Sequence, residues 1–139
     1  MGTWVSGPTE LPPRHRALAA LPIIATLCTH GRDSPVLSAV WYEWVDGGIN
    51  CTVPPDGFIA RNVSRKPWVG MLIAGIARPY CGIEYRGDVI VGKEYLPVLS
   101  RLATRYLGSR AGVRYLVGHP SNLVLRMELG RFRLWDDAA

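Results

Sequence analysis

The chain has 139 residues, of which 48% are hydrophobic and 19% are charged, so the composition excludes a disordered chain and suits one domain with its own core. The net charge of +5 comes from basic residues scattered along the sequence rather than from a dense run, which argues against nucleic acid as a partner. No apolar run reaches the roughly 18 residues that a membrane span needs, so we expect no membrane partner either.

The first 16 residues contain Pro8, Pro12 and Pro13 and are predicted to form a loose arm. An Ala/Leu-rich helix is expected over 14–21, before Pro22. Alternating or β-branched apolar runs predict six strands, at 23–30, 36–45, 49–53, 68–76, 80–91 and 122–135. The strand at 36–45 is apolar on both faces, so we expect burial on both sides, as in a barrel with a partner. Residues 17–135 then form one domain, and 136–139 form a tail.

Turn and helix signals separate these strands. Asp46-Gly47-Gly48 is a hairpin signal, because these residues tolerate positive φ. A short helix is expected over 58–66, and an amphipathic one over 93–108 with Pro97 in its first turn. Gly130 is interpreted as a bulge in the last strand. Short sequential strands joined by hairpins favour an antiparallel barrel or sandwich.

Three cysteines, Cys28, Cys51 and Cys81, have no metal-type spacing. All three lie in strand-like runs, which favours small buried side chains. A sparse, odd count argues against a set of disulfides and favours a reducing compartment, so the sequence predicts a cytoplasmic protein. No histidine has a second ligand at metal spacing or a matched nucleophile. We therefore expect no metal site and no hydrolase triad.

The order strand, hairpin, strand, short helix, strand pair, longer helix and strand carries four short motifs. They are VWYEW at 40–44, ARNV at 60–63, EYRG at 84–87 and RLW at 133–135. Together they resemble the flavin-binding split β-barrel of the pyridoxamine-phosphate-oxidase-like proteins, and most of all its small actinobacterial-type members. The resemblance implies a mainly β, antiparallel six-stranded split barrel with a short connecting helix and one longer amphipathic helix, closing as a homodimer.

The same resemblance implies a site for FMN or the deazaflavin coenzyme F-420 in a groove between the two subunits. Strand backbone amides would meet the ring heteroatoms, and the Thr52 hydroxyl would donate to the phosphate. Trp135 would cross to the partner's cofactor. The implied cofactor-binding residues are Ser38, Ala39, Val40, Trp41, Thr52, Val53, Pro54, Arg61 and Trp135.

At one point the sequence departs from the family pattern. The family usually carries a basic pair, often Arg-Lys, where this chain has Phe58 and Ile59. A phosphate needs charge-assisted donors, so Arg61, Arg65 and Lys66 or the amide end of the short helix would have to replace them. If they do not, the groove is empty or holds another ligand such as haem.

The leading hypothesis is a flavin- or deazaflavin-dependent oxidoreductase that passes a hydride to a small organic substrate, with no side chain assigned to catalysis. The alternative is a non-catalytic split-barrel binder, such as a cofactor carrier or a haem protein. A basic nucleic-acid or structural barrel is the weakest of the three. Two interpretations are open for the tryptophans of these strands, which are Trp41, Trp44 and Trp68. They either line the site of a planar cofactor or belong to the core or an interface.

Overall fold

The structure is a computed structural model that describes residues 2–138. It contains strands β1 Thr3–Ser6, β2 Ala25–His30, β3 Pro35–Val40, β4 Glu43–Val45, β5 Gly48–Val53, β6 Trp68–Ala74, β7 Cys81–Asp88, β8 Ile90–Gly92, β9 Leu123–Met127 and β10 Arg131–Asp136. Its helices are α1 Pro13–Ala19, α2 Phe58–Arg65, α3 Tyr95–Leu107 and α4 Ser109–Gly118. The predicted short connecting helix and longer amphipathic helix are present as α2 and α3.

The strands form two antiparallel sheets. The six-stranded sheet has the order β1-β10-β7-β6-β2-β3, and the four-stranded sheet has the order β4-β5-β9-β8. The mainly β, antiparallel class predicted from the sequence is confirmed. The two sheets leave edges at β1, β3, β4 and β8, so the described part of the chain does not close into a barrel by itself.

The count of six strands is not confirmed, because three of the predicted strands bend from one sheet into the other. Segments 36–45, 80–91 and 122–135 each supply one strand to both sheets. At the first bend the Tyr42 N–H donates to the Tyr106 hydroxyl over 3.1 Å. At the second bend the Val89 N–H donates to the Pro67 carbonyl over 3.1 Å. These two amides donate outside the strand pairing, although the apolar pattern of the sequence continues through both bends.

Gly130 lies at a turn rather than at a bulge, and it touches Gly87 at the second bend. A Cβ on Gly130 would lie 2.3 Å from the Arg86 carbonyl oxygen and 2.7 Å from the Gly87 Cα. Such distances are well inside van der Waals contact, so the two backbones can cross here only without side chains. The third bent segment therefore divides into β9 and β10 where it passes β7.

Part of the predicted loose arm is regular structure. Within residues 1–16, β1 pairs with β10 in the register Thr3↔Leu134 to Ser6↔Arg131. Helix α1 also begins inside this segment, at Pro13. The prolines that indicated a loose arm instead lie between β1 and α1 or in the first turn of α1, where proline is tolerated.

The hairpin and core follow the predicted pattern. Asp46 and Gly47 have φ of 51° and 77°, as expected of a tight turn between β4 and β5. Fully buried side chains include Leu27, Ile49, Ile83, Tyr85 and Phe132. In the single chain the outer face of the first half of 36–45 is open, with Leu37 70% exposed, so burial of that face against a partner stays a prediction.

All three cysteines are free thiols. Among residues 2–138, no helix is both long and apolar enough to cross a bilayer.

Candidate functional site

A cavity of about 230 Å³ lies where β3 and β5 end beside the start of α2. It is lined by Ala39, Val40, Trp41, Thr52, Val53, Pro54, Ile59 and Tyr115. The first six are residues that the sequence resemblance assigned to cofactor binding. The ends of β3 and β5, the start of α2 and one distant residue, Tyr115, therefore meet at one place.

The position of β3 explains its side of the cavity. It pairs with β2 and ends the six-stranded sheet, so one row of its N–H and C=O groups faces away from β2. Residue alternation turns Ala39 outward, toward the cavity, and Ser38 inward, opposite buried Leu27. The Ser38 hydroxyl is buried and has no hydrogen-bond partner within the described residues. Ser38 therefore does not line the cavity with its side chain.

Aromatic rings form one wall of the cavity. The Trp41 ring stacks on Tyr106 with centroids 5.0 Å apart and an interplanar angle of 8°. Tyr115 contacts the Trp41 ring at 4.9 Å with an angle of 44°. Burial raises the pKa of the Tyr115 hydroxyl, so it stays protonated at neutral pH.

The other two candidate tryptophans lie elsewhere. Trp44 packs edge-on against Phe132 in the core, with centroids 5.2 Å apart. Trp68 contacts His30 at 5.8 Å. Of the three tryptophans considered from the sequence, Trp41 alone lines the cavity, and Trp44 belongs to the core as the alternative interpretation expected.

The start of α2 carries the residues that replace the family's basic pair. Phe58 is 47% exposed, and Ile59 is half-buried and forms part of the cavity wall. Helix α2 has no side-chain cap at its N-terminus, so its first amides remain as potential donors. The cavity itself thus offers the Thr52 hydroxyl and backbone amides to an anion, and no cationic side chain among its lining residues.

Cationic side chains line a neighbouring cavity of about 590 Å³ that also borders α2. Its lining includes the side chains of Arg61, Arg65 and Lys93. It also includes Pro55, which follows Pro54 of the first cavity in the sequence. The Arg61 guanidinium donates to the Asp56 carbonyl over 2.9 Å, and that of Arg65 donates to the His30 carbonyl over 2.7 Å. The structure therefore places Arg61 beside the first cavity and not within its lining.

Trp135 is not among the residues that line either cavity. Its ring covers Gly82, where an added Cβ would lie 2.2 Å from the ring. Its carbonyl lies 2.9 Å from the Nε2 atom of His15. Within one chain, Trp135 is separate from the six residues that come together.

Two polar residues near the motifs have structural contacts. Asn62 donates from its side-chain amide to the Thr29 hydroxyl over 3.1 Å, which braces α2 against β2. Glu84 pairs with Arg86 at 2.5 Å and with Arg133 at 2.9 Å on the sheet surface. Asn62 and Glu84 therefore have structural contacts in the fold.

The residues present fit a flat and mainly apolar ring. Val40, Trp41, Val53 and Ile59 offer apolar and aromatic contacts, and the free edge of β3 offers hydrogen-bonding groups. A volume of about 230 Å³ is below the roughly 300–1,000 Å³ of typical ligand pockets, so one chain would enclose only part of such a ring. Within residues 2–138, no three His, Cys, Asp or Glu side chains are grouped so as to hold a metal ion.

Tyr115 is the lining residue that sequence reasoning missed. It lies on α4, a helix that was not predicted from the sequence, between Gly108 and His119. Gly108 caps the C-terminus of α3, where the predicted amphipathic helix ends, and is also the N-cap of α4. The helical spacing of apolar residues over 109–118 is the sequence signal that indicates α4. No local pattern indicates that Tyr115 contacts Trp41.

No protein-family model matches the chain, and no curated protein is significantly similar to it. Solved structures do match it. A conserved hypothetical protein from Mycobacterium tuberculosis has a TM-score of 0.74 and 24% identity, covering 93% of this chain and 86% of its own. An F420 reductase has a TM-score of 0.70 and 21% identity, with 88% and 98% covered.

Other proteins of the same fold carry different names. A putative pyridoxamine 5'-phosphate oxidase from Listeria innocua has a TM-score of 0.64 and 13% identity, covering 86% of this chain and 93% of its own. A heme storage protein from Vibrio cholerae has a TM-score of 0.65 and 14% identity, with 91% and 96% covered. At such identities the likeness concerns the fold alone. The chain therefore has the split-barrel fold of the pyridoxamine-phosphate-oxidase-like proteins.

Proposed function

We propose that this protein is an oxidoreductase that binds a flavin or a deazaflavin in a groove beginning at the cavity between β3, β5 and α2. The observation that carries the proposal is the convergence of Ala39–Trp41 and Thr52–Pro54 on one cavity. The sequence resemblance assigns the same residues to cofactor binding. An apolar cavity beside a free strand edge is suited to a flat heteroaromatic ring.

The chain's own residues would hold and orient this ring. Trp41 and Val40 would pack on it, and outward-facing amides of β3 would donate to its heteroatoms. When bound, the cofactor supplies hydride transfer to a small organic substrate. The protein's part is orientation and exclusion of water, and no side chain is needed as acid or base.

The anionic part of the cofactor would extend past Pro54 toward the second cavity. Thr52 and the first amides of α2 would donate to a phosphate, and Arg61 would supply positive charge. Arg65 and Lys93 line the same cavity and add to this charge. The positive charge of the whole chain, +5, also favours a polyanionic coenzyme.

A homodimer would complete the site. Leu37 is 70% exposed on the same outer face of β3 as Ala39, which lines the cavity. An apolar face that continues into an incomplete cavity is suited to a second copy of the chain. In such a dimer, Trp135 of one protomer would approach the cofactor of the other.

Three free cysteines without a disulfide support a reducing compartment, and we propose the cytoplasm.

A non-catalytic binder is the second candidate. Phe58 and Ile59 supply no charge where the fold's flavoproteins usually have a basic pair, and Ile59 adds to the apolar wall. Haem proteins share this fold. A carrier or haem-binding role would need the apolar walls and not the phosphate donors.

Restoring the basic pair tests how the phosphate is held. The double variant Phe58→Arg/Ile59→Lys is expected to tighten FMN binding about tenfold or more, because each charge-assisted hydrogen bond contributes roughly 1.5–3 kcal/mol. Isothermal titration would measure the change. Arg61→Ala in the native background is expected to weaken binding by a similar factor.

The matched control is Phe58→Leu/Ile59→Leu, which adds no charge and should leave the FMN affinity unchanged. If the basic pair leaves the affinity unchanged and Arg61→Ala does too, the phosphate does not lie at the start of α2.

A further inference from the structure

Helix α4 extends one side chain into the candidate cavity. Tyr115 lines the cavity together with residues of β3, β5 and α2. Its ring contacts two other rings, that of Trp41 with centroids 4.9 Å apart and that of His119 with centroids 3.8 Å apart and an interplanar angle of 12°. The Tyr115 ring therefore has a defined position at the cavity wall rather than a free rotamer on the surface.

The packing of α4 fixes where this ring lies. Gly112 presses the helix against α3, because a Cβ there would lie 3.0 Å from the Thr104 nitrogen. The opposite stripe of α4 faces solvent, with Val113 62% and Val117 80% exposed. Tyr115 is thus the α4 residue whose size bounds the cavity.

We propose that Tyr115 determines which planar ligand the cavity accepts, admitting the narrow tricyclic ring of a flavin or deazaflavin and excluding the broader haem macrocycle. This inference rests on the proposed function, since it assumes that a flat cofactor binds here. The cavity that Tyr115 bounds has a volume of only about 230 Å³. A tetrapyrrole is broad in both directions of its plane, so it needs more space beside Tyr115 than the narrower tricyclic ring does.

Tyr115 also favours the ring that it admits. An aromatic ring beside Trp41 offers an offset or edge contact to a heteroaromatic ligand. Removing the ring is therefore expected to act in opposite directions on the two ligand classes.

The experiment compares the native protein with Tyr115→Ala and Tyr115→Phe. FMN, deazaflavin coenzyme F-420 and haemin are titrated separately into each, and Kd is measured from absorbance changes. Val117→Ala, on the exposed stripe of α4, is the control for effects on the helix itself. Tyr115→Leu also removes the ring but keeps an apolar contact with Trp41. It therefore replaces Tyr115→Ala in the comparison if that variant fails to fold.

The expected result is a fall of at least about tenfold in the ratio of the haemin Kd to the FMN Kd for Tyr115→Ala and Tyr115→Leu. Tyr115→Phe and Val117→Ala should keep the native ratio. A ratio within twofold of the native one in both Ala and Leu variants overturns the inference, and so does the absence of binding to every protein. If the native protein binds neither flavin nor deazaflavin while Tyr115→Ala gains haemin binding, the size restriction holds and the oxidoreductase proposal fails.

Discussion

At the scale of single residues, Glu43 holds three elements together. The residue is 8% exposed, and its carboxylate accepts two hydrogen bonds from the Arg101 guanidinium, both of 2.8 Å. Asn50 adds a third over 2.9 Å. Burial alone would raise the pKa of this carboxyl, but the hydrogen bonds from Arg101 and Asn50 outweigh it and lower the pKa. The ionised Glu43 therefore connects β4, β5 and α3.

This lowered pKa predicts a pH dependence of stability. Above the ordinary value of 4.5, Glu43 is ionised in both states and contributes fully to the folded state. The contribution is lost as the pH falls through the lowered pKa of the folded protein. Glu43→Gln is expected to reduce the free energy of unfolding at pH 7 by about 1–3 kcal/mol. Its difference from the native protein should shrink in acid.

Urea denaturation from pH 7 down to pH 3 measures both effects. Glu10→Gln, at an exposed carboxyl, is the control and should change the free energy of unfolding by less than about 0.5 kcal/mol. A constant difference between native protein and Glu43→Gln across this range would contradict the role assigned to the carboxylate.

At the scale of elements, the fold depends on strands that bend from one sheet into the other. The contact between Gly87 and Gly130 allows β7 to pass the turn between β9 and β10. Gly130→Ala is expected to reduce the free energy of unfolding by about 1–3 kcal/mol, because the added methyl group overlaps the backbone of β7. Thermal unfolding followed by circular dichroism would measure it.

Gly118→Ala is the matched control for this substitution, because no atom lies within 4 Å of a Cβ built there. We expect it to leave the stability nearly unchanged. Equal effects of the two substitutions would mean that the crossing of the backbones is not what requires glycine.

Local patterns predicted most of the elements, but not β1, α4 or how three of the strands divide. The DGG turn requires positive φ at Asp46 and Gly47, and this is legible in the sequence. The bends cannot be predicted from the sequence pattern, because apolar residues continue through Trp41 and Tyr42 although the backbone hydrogen bonds change partners there. Strand β1 was not predicted, because the prolines that follow it indicated a loose arm. Its pairing partner, β10, lies at the opposite end of the chain, so no local pattern indicates the pairing.

The candidate site was predictable only where it follows the motif order. The ends of β3 and β5 flank the predicted hairpin, so their convergence follows from local connectivity. Tyr115 reaches Trp41 through the packing of α3 and α4, which depends on residues more than 60 positions later in the chain. Ser38 and Trp135 were assigned by resemblance, and the single chain turns both side chains away from the cavity.

At the scale of the whole molecule, the outer face of β3 predicts self-association. Leu37→Glu is expected to convert the proposed dimer into monomer, because a charge would be buried at the centre of an apolar contact. Sedimentation velocity would measure the change in mass. Leu129→Glu, which alters a leucine 59% exposed at the turn between β9 and β10, is the control. A native protein that sediments as a monomer would contradict the dimer.

The most direct test of the proposed function is the absorbance spectrum of the purified native protein, followed by titration with FMN, deazaflavin coenzyme F-420 and haemin. We predict a flavin or deazaflavin spectrum, or saturable changes in absorbance with one of these two cofactors, lost when Trp41→Ala opens the wall of the cavity. Saturation by haemin alone, or no spectral change with any of the three, would contradict the assignment as a flavin- or deazaflavin-dependent oxidoreductase.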